Sequence, residues 1–539
     1  ARHDLMEGGA LRRAAGSGVA DASVSARRQY VGGGVPRWRR TFQGLAPASR
    51  RLRPEIQTPS PRVEVPLTRG SGYNICCRSA ALGAAEDALA SSDAEAPITI
   101  AAIVGDGPSH FLYPHALNRV PPTWMEVAEH LSTLLSFRSS RYDLRPILEE
   151  HVKVGASGTA ASALAEADVV LAVGCTEVNE VRGLHSRVGK HGSSFVSLGP
   201  GAQGSDFSLR RRGVVDAVKG LPAALSGRAV AALASDVDLL WNRRNSVDLV
   251  FLVLLVVDKC VREVPELGAM GKAGGLQLLW CMFSNCRQEV LDCVRDPDCR
   301  AALDCLQECG LNDQVRSYQC ICTHESPLFE KFSLCVLQKN NCMQTFATAP
   351  SLPLVEPLGS FRGEPLTHES AEAILIGWLG DEPYSWKVVC GQNAAYDFFP
   401  NQHQIFYKSK SGRQMWYDPV FQVETLDGKT VWRRRHYRVK KASQAGTFFF
   451  SVLDNGVTSN EFWRIIDVAE DMSWAVLYYT GAASAAGQAY SGAVFVSRDG
   501  NWPSNADHFS RIERAHDRCG IKMWELQSVT NSDCKDAPL

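Results

Sequence analysis

Ten cysteines between residues 281 and 342 are the side chains of this 539-residue sequence whose spacing points most directly to chemistry. Such a cluster could bind a metal, carry out redox chemistry or form disulfides. Zinc sites and thiol redox sites are usually marked by C-x-x-C pairs, and here the separations are 5, 7, 6, 6, 4, 11, 2, 13 and 7. We therefore predict a disulfide framework and no metal site, with a pairing that the spacing leaves open. The ten are Cys281, Cys286, Cys293, Cys299, Cys305, Cys309, Cys320, Cys322, Cys335 and Cys342.

The elements that must position these cysteines are short helices. In RQEVLDCVRDPDCRAALDCLQEC the charged and Leu/Val residues recur with a helical period, which is broken at Pro297 and Gly310. This pattern predicts a Cys-rich helical domain over residues 258–350. The aliphatic run LVFLVLLVV just before it is less than half as long as the roughly 20 residues that cross a membrane, so we interpret it as a buried helix or strand.

Residues 1–95 have the composition of a targeting segment. Up to Arg78 there are fourteen arginines, no lysine and five acidic residues, and such a bias is typical of transit peptides. We expect a transit peptide and a disordered region here. The formal net charge of the whole chain is -1, which offers no bulk attraction to phosphates, so we expect no nucleic-acid partner.

Residues 96–257 alternate short apolar runs, such as ITIAAIVGDG and ADVVLAVG, with amphipathic segments. This alternation predicts a small parallel sheet in a Rossmann-like α/β domain. VGDG does not match the G-x-G-x-x-G dinucleotide motif, and no Walker lysine follows it. We favour a scaffold without a cofactor over the alternative, a nucleotide or small-ligand site at the strand ends.

After a linker predicted over residues 351–385, the pattern becomes alternating. Eight short segments between residues 386 and 498, one of them 429–441, are separated by SG, DG and DNG turns and followed by an amphipathic helix. This predicts an eight-stranded lipocalin (calycin) β-barrel with a C-terminal helix over 386–521, wide enough for one small ligand. Residues 522–539 are left as a tail, and the fold class is multidomain, α/β plus α plus β.

Two groups of motifs resemble violaxanthin de-epoxidase. One is the cysteine ladder CMFSNCRQEVLDCVRDPDCRAALDCLQEC with LCVLQKNNC, and the other comprises YDFFPNQHQIF, EFWRII and VLYYTG…GAVFVSRDG in the barrel. With an α/β domain in front, the chain is most similar to the violaxanthin de-epoxidase-related proteins of plants and algae. The resemblance implies a nested disulfide pairing: Cys281–Cys299, Cys286–Cys293, Cys305–Cys322, Cys309–Cys320 and Cys335–Cys342.

The resemblance also implies a site inside the barrel. The carboxylate associated with the family falls on Glu461, and a barrel tryptophan on Trp463; on one strand both face the same side. The alternative is an exposed glutamate at a strand start. Asp397 and Gln402 are retained, and Tyr479 fits ligand contact and barrel core equally well. The departures are Pro400 for Asp, Asn401 for Cys, Gln404 and Tyr407 for two histidines, Tyr437 for a pocket Gln and Val496 for a pocket Tyr.

Opening an epoxide requires protonation of its oxygen, and burial keeps a carboxylic acid protonated. The resemblance thus implies a violaxanthin de-epoxidase-like oxidoreductase that opens or isomerises a xanthophyll epoxide, with Glu461 or Asp397 as the acid and ascorbate as reductant. The alternative, favoured by the absent histidines, is a non-catalytic lipocalin that binds a carotenoid or another apolar ligand. The resemblance further implies a chloroplast location, in the thylakoid lumen or at the thylakoid membrane, and leaves room for a homodimer.

Overall fold

The computed structural model describes residues 96–115, 120–153, 159–199, 206–209, 223–268, 275–377, 385–393 and 397–539. The segment predicted to be a transit peptide lies outside the described residues. The described residues belong to one compact unit.

The first part of this unit is a five-stranded sheet of order β2-β1-β3-β4-β5, in which the first four strands are parallel and β5 is antiparallel. Apolar cores cover both faces, which explains why its central strands consist of continuous apolar runs. The predicted parallel α/β architecture is confirmed. Its elements are β1 (Ile98–Val104), α1 (Trp124–Arg138), β2 (Tyr142–Leu148), α2 (Glu150–Lys153), α3 (Thr159–Glu166), β3 (Val169–Val173), α4 (Val178–Val188), β4 (Ser194–Leu198), β5 (Asp206–Leu209), α5 (Ala223–Arg243), α6 (Ser246–Cys260) and α7 (Pro265–Gly268).

The aliphatic run LVFLVLLVV lies in helix α6, and its residues pack into the core on one face of the sheet. Asn245 caps the helix by accepting a hydrogen bond from the Asp248 backbone N–H. Nowhere in the described part of the chain does a helix combine the length and apolarity that crossing a bilayer requires.

The cysteine region is helical, as expected, and four disulfides cross-link it. Asp296 caps the helix Pro297–Gln307, and Pro297 occupies its first turn, where the N–H that proline lacks would have no partner within the helix. The elements are α8 (Gly275–Asn285), α9 (Arg287–Arg295), α10 (Pro297–Gln307), α11 (Gln314–Thr323), α12 (Pro327–Ser333) and a π-helical turn (Leu334–Lys339).

The disulfide pairing differs from the nested pairing that the resemblance implied. The observed bonds are Cys281–Cys342, Cys286–Cys335, Cys293–Cys299 and Cys305–Cys320. They join α8 to the segment just after the π-helical turn, the start of α9 to that turn, α9 to α10, and α10 to α11. Five of these cysteines share one buried core: Cys286, Cys293, Cys299, Cys335 and Cys342.

Two of the ten predicted disulfide cysteines are free thiols in this structure. The Cys309 sulfur lies 3.7 Å from that of Cys320, which is already bonded to Cys305. Cys322 instead faces the barrel, where its sulfur lies 3.2 Å from Nε of Arg433. The expectation that all ten cysteines are cross-linked is therefore corrected to eight.

The segment predicted as a linker contains a helix. Thr367 begins it with a side-chain cap, and Gly377 ends it in the left-handed conformation. Ala371, Ile374 and Leu375 of this helix are buried in the core of the barrel, so the segment is part of the barrel domain. Its elements are β6 (Ser360–Phe361), β7 (Glu364–Pro365) and α13 (His368–Ile376).

Eight strands close an antiparallel barrel of the lipocalin type, counting β11 and β12 as one. Pairing runs through β8, β9, β10, β12, β13, β14, β15 and β16, and β16 returns to β8. The strands are β8 (Trp386–Gly391), β9 (His403–Lys408), β10 (Met415–Glu424), β11 (Thr430–Arg434), β12 (Tyr437–Lys441), β13 (Thr447–Asp454), β14 (Val457–Val468), β15 (Trp474–Ala483) and β16 (Gln488–Ser497).

The predicted strand 429–441 is split into β11 and β12. Both pair with β10 in one register, Val420 with Arg434 and Tyr417 with Tyr437. The interruption lies opposite Pro419, which has no N–H to donate to a ladder.

The predicted C-terminal helix, α14 (Ala506–Arg518), packs on the outside of the barrel. The residues after it are not a free tail, contrary to the expectation. A 3-10 turn (Met523–Glu525) is buried, and β17 (Gln527–Ser528) pairs with β8. A second 3-10 turn (Ser484–Ala486) links β15 to β16.

Candidate functional site

A cavity with an empty volume of about 450 Å³ opens within the barrel. Six of its lining residues carry carboxyl, amide or aliphatic groups and the other six are aromatic, so the cavity is partly polar. The lining residues are Asp397, Gln402, Gln404, Tyr417, Pro419, Phe421, Tyr437, Glu461, Trp463, Tyr479, Tyr490 and Val494.

Glu461 and Trp463 face the interior together, as strand alternation predicts. Glu461 is 7% exposed, which rules out the alternative of an exposed strand-start glutamate. Nε1 of Trp463 donates to Glu461 Oε2 at 2.6 Å, and the Tyr490 hydroxyl donates to Oε1 at 2.8 Å. Burial raises the pKa of Glu461 above its usual value, against the lowering effect of these two hydrogen bonds.

A glycine makes the space for this group. Gly481 on β15 pairs with Glu461 across the ladder. A Cβ at Gly481 would lie 2.8 Å from the Tyr490 ring and 2.9 Å from Glu461 Cγ, so a larger residue would displace one of the two side chains.

Asp397 is the second carboxyl group of the cavity and is 2% exposed. Its Oδ2 accepts a hydrogen bond from the Asn393 backbone N–H at 2.8 Å. Burial raises the pKa of Asp397 to about 7, and this single hydrogen bond offsets only part of the effect. Asp397 is therefore largely protonated below neutral pH.

Aromatic rings pack around Trp463 inside the barrel. The Trp463 ring lies between those of Phe450 and Tyr479, with centroid distances of 4.8 and 5.1 Å. Tyr417 packs beside Trp463 at 5.5 Å, and its hydroxyl donates to the side-chain oxygen of Gln404. Three of these rings, those of Tyr417, Trp463 and Tyr479, line the cavity.

The structure brings six of the seven predicted site residues to one cavity. Gln402 lies there with its side-chain amide donating to the Phe399 carbonyl at 2.7 Å, and Tyr437 and Tyr479 contribute phenol rings. Val496 is buried in the barrel core but does not line the cavity; Val494, two residues earlier on the same face, does. The six are Asp397, Gln402, Tyr437, Glu461, Trp463 and Tyr479.

Tyr490 is a site residue that the sequence reasoning missed. It shares a face of β16 with Val494 and Val496, because alternate residues of a strand point the same way. The alternation from Val496 back to Tyr490 was the available signal. Gln404 was recognised only as a departure from the family pattern, and it too lines the cavity.

No lysine, arginine or histidine is among the lining residues of this cavity. His403 lies on the other face of β9, where its Nδ1 is 2.8 Å from Ser385 Oγ and burial lowers its pKa to about 4. The cavity thus holds two carboxyl groups without a counter-cation, which disfavours ionising both. Among the described residues, no group of His, Cys, Asp and Glu side chains is arranged to hold a metal ion.

The remaining thiols of the barrel are isolated. Cys390 is a buried thiol, and burial raises its pKa well above the usual value, assisted by the neighbouring Asp397. Cys519 and Cys534 are both free, so Cys519 has not taken Cys534 as a partner.

Residues 279–531 match the family model described as "VDE lipocalin domain". The chain is 20% identical over 274 residues to violaxanthin de-epoxidase, chloroplastic, of Nicotiana tabacum, covering 49% of this chain and 52% of the relative. It is 22% identical over 277 residues to the enzyme of the same name from Spinacia oleracea, covering 49% and 53%. The chain spans about half the length of these relatives.

The chain is also similar to solved structures, two of which are described here. Lobster apocrustacyanin A1 is 11% identical and has a TM-score of 0.22, covering 35% of this chain and 96% of that one. Insecticyanin from the tobacco hornworm Manduca sexta is 12% identical and has a TM-score of 0.25, covering 34% and 86%. At these scores the barrel assignment depends on the strand order and closure described above.

Proposed function

Because the chain is distantly related to violaxanthin de-epoxidase and its residues 279–531 match the VDE lipocalin domain, we propose that it binds a xanthophyll epoxide and opens the epoxide by acid catalysis. The observation that carries this proposal is the pair of buried carboxyl groups, Asp397 and Glu461, in one cavity. Burial raises the pKa of each, so a proton is available there.

Of the two carboxyl groups, Asp397 is the one that keeps its proton more readily. It accepts one backbone hydrogen bond, whereas both oxygens of Glu461 accept hydrogen bonds, and hydrogen bonds to a carboxylate favour its ionised form. We assign Asp397 as the acid that protonates the epoxide oxygen. Glu461, held by Trp463 and Tyr490, is then placed to stabilise the positive charge that develops on the ring carbon.

Reductive opening needs an electron donor, and we propose ascorbate, the reductant implied by the relatives. Both C–O bonds of the epoxide break, a C=C bond forms, and the oxygen leaves as water with two protons. The two electrons come from ascorbate, which becomes dehydroascorbate. The cavity lining offers no basic side chain to an ascorbate anion. Because Asp397 must be protonated to act as the acid, the reaction should be favoured at acidic pH.

The second candidate is a carrier that binds a carotenoid or another apolar ligand without reaction. Gln404 and Tyr407 stand where the resemblance leads one to expect histidines, and neither titrates near neutral pH as histidine does.

The test is incubation of the oxidised protein with violaxanthin and ascorbate at several pH values, with product and binding scored separately. In the catalyst, Asp397→Asn should lower turnover by about 10²-fold or more, and Glu461→Gln should lower it less, while xanthophyll affinity changes by less than about tenfold in both. Binding without product in the wild type would establish the carrier. Full turnover in both variants would refute carboxylic acid catalysis.

We also propose a chloroplast location with association to the thylakoid membrane, and a homodimer under some conditions. Helix α8 supports the membrane part. Its four large apolar side chains Leu276, Leu279, Trp280 and Phe283 are 59 to 87% exposed and recur with helical spacing on one face. The helix contains no charged residue.

Basic groups flank this face of α8. The Arg287 guanidinium lies 5.5 Å from the Phe283 ring centroid, and exposed Lys339 precedes Asn340, whose carbonyl oxygen is 4.0 Å from the Cys281 sulfur on α8. An apolar face with a basic rim suits a lipid surface with anionic head groups. Four side chains are too few for the roughly 800 Å² per partner that stable dimers bury, so we assign this face to lipid.

A further inference from the structure

Glu525, near the C-terminus, is a buried carboxylate where the α/β domain meets the barrel. Its side chain is fully enclosed and receives four hydrogen bonds. Nε2 of His130 on α1 lies 2.5 Å from Oε1, and the Lys522 backbone N–H donates to the same oxygen at 2.7 Å. Oε2 accepts from Ser246 Oγ on α6 at 2.7 Å and from Gln392 Nε2 at 3.1 Å.

The neighbouring residue, Trp524, shields Glu525 and its four hydrogen-bond partners from water; we call this group the Glu525 node. Trp524 is 7% exposed and belongs to the core of the α/β domain. Its ring packs 4.8 Å from that of Phe111 and edge-on to His130 at 5.4 Å. Hydrogen bonds in such an enclosed site are strong, and an unmatched donor there is costly.

Gln392 connects the node to the cavity. Its backbone N–H donates to the Ala493 carbonyl at 3.1 Å, and the next residue, Asn393, exchanges two hydrogen bonds of 2.8 Å with Asp397. On the other side of Gln392, a Cβ at Gly391 would lie 2.2 Å from Asp397 Oδ2, so the carboxyl group rests directly on this backbone. Gly391, the last residue of β8, and the two residues after it therefore fix the position of Asp397.

From these contacts we infer that Glu525 is a positioning residue, through which the α/β domain holds the end of β8 so that Asp397 stays buried in the cavity. This gives the α/β domain a role in the site without a ligand of its own. The catalytic meaning of the inference rests on the proposed function; the positioning of Asp397 does not.

The test follows the ionisation of Asp397 in the full chain. Its protonated carboxyl is assigned by infrared spectroscopy as the band that disappears in Asp397→Asn, and is titrated from about pH 4 to about pH 9. Glu525→Gln keeps the size of the side chain but places an amide donor against the donors of Gln392 or His130. The midpoint should fall by about one pH unit, a tenfold loss of proton affinity, because the loosened backbone admits water.

Gln392→Met is the second variant, since it removes only the hydrogen bond between Gln392 and Glu525 and keeps the bonds of Glu525 to the other three partners. It should lower the midpoint by the same amount, and the double variant Glu525→Gln/Gln392→Met should add nothing, because both act through one contact. The matched control is Asp467→Asn, which removes another buried carboxylate, bonded to Arg511 at 2.6 Å on the outside of the barrel.

The inference is overturned if the midpoint in Glu525→Gln and Gln392→Met stays within about 0.3 pH unit of the wild type, or if Asp467→Asn shifts it equally. A parallel assay with violaxanthin separates this result from the proposed function. Absence of turnover in the wild type together with the shifted midpoint would reject catalysis and retain the positioning role.

Discussion

At the scale of single residues, the two carboxyl groups of the cavity are set apart by their hydrogen bonds. Glu461 is held at both oxygens by Trp463 and Tyr490, whereas Asp397 meets one backbone N–H. The same burial therefore leaves Asp397 the more readily protonated group. Two carboxyl groups in one enclosed site can in this way divide the roles of acid and charge stabiliser.

The raised pKa of Asp397 predicts a pH-dependent stability. With a folded-state pKa of about 7 against 3.8, the unfolded chain loses this proton first, so stability should fall as pH rises from about 4 to about 7 and then level off. The contribution of this group is at most about 4 kcal/mol. Asp397→Asn removes the ionisable group, so the variant should lack this part of the decrease in stability. Its free energy of unfolding at pH 8, measured by urea unfolding, should therefore be larger than that of the wild type. Parallel curves for the two proteins from pH 4 to 8 would contradict this account.

At the scale of elements, the alternation of side chains between the two faces of a strand predicted much of the site. Glu461 and Trp463 were expected on one inward face because strand residues alternate, and they are hydrogen-bonded there. The residues that escaped are those set by packing between strands. Alternation along β16 places Tyr490 on the inward face, but it does not reveal the contact with Glu461, which exists only because Gly481 between them has no side chain.

Irregular elements were predicted least well. The break at Pro419 depends on pairing with β11 and β12, and the burial of Glu525 depends on contacts with His130 and Ser246, which lie 395 and 279 residues away in sequence. Both are decided by tertiary structure and leave no local pattern. The composition of residues 522–539 thus indicated a tail where the chain in fact inserts between two domains.

The exposed face of helix α8 leads to a prediction about lipid binding. Full-length oxidised protein should float with vesicles of phosphatidylcholine and phosphatidylglycerol, and less with phosphatidylcholine alone because of Arg287. Trp280→Ser should weaken partitioning at least about tenfold, since burying a large apolar side chain is worth about 1.5 to 3 kcal/mol. The control is Leu354→Ser, a single apolar side chain 80% exposed outside this face.

Two results would contradict the assignment to lipid. Equal flotation of Trp280→Ser and the wild type would show that the α8 face does not contact the bilayer. A dimer in light scattering that Trp280→Ser dissociates would assign the face to a second copy of the chain.

At the scale of the whole molecule, three parts are joined by different kinds of contact. The α/β domain meets the barrel through the Glu525 node and the inserted Trp524. The disulfide domain meets the barrel through polar contacts, among them Arg433 with Glu325 and with the Cys322 carbonyl. The cavity thus belongs to a barrel supported from two sides, which favours a rigid site over one formed on binding.

The disulfides give the last prediction, because the observed pairing and the nested pairing differ in which cysteines matter. Without reductant, mass mapping of the denatured chain should find only Cys309 and Cys322 alkylated between residues 281 and 342, since the other eight are bonded. Cys335→Ser should cost about 2 to 5 kcal/mol of unfolding free energy, as loss of a native disulfide typically does, and Cys309→Ser should cost little. In the nested arrangement both substitutions break a bond, so equal losses in the two variants, together with protection of Cys309 from alkylation, would favour that arrangement over the one described here.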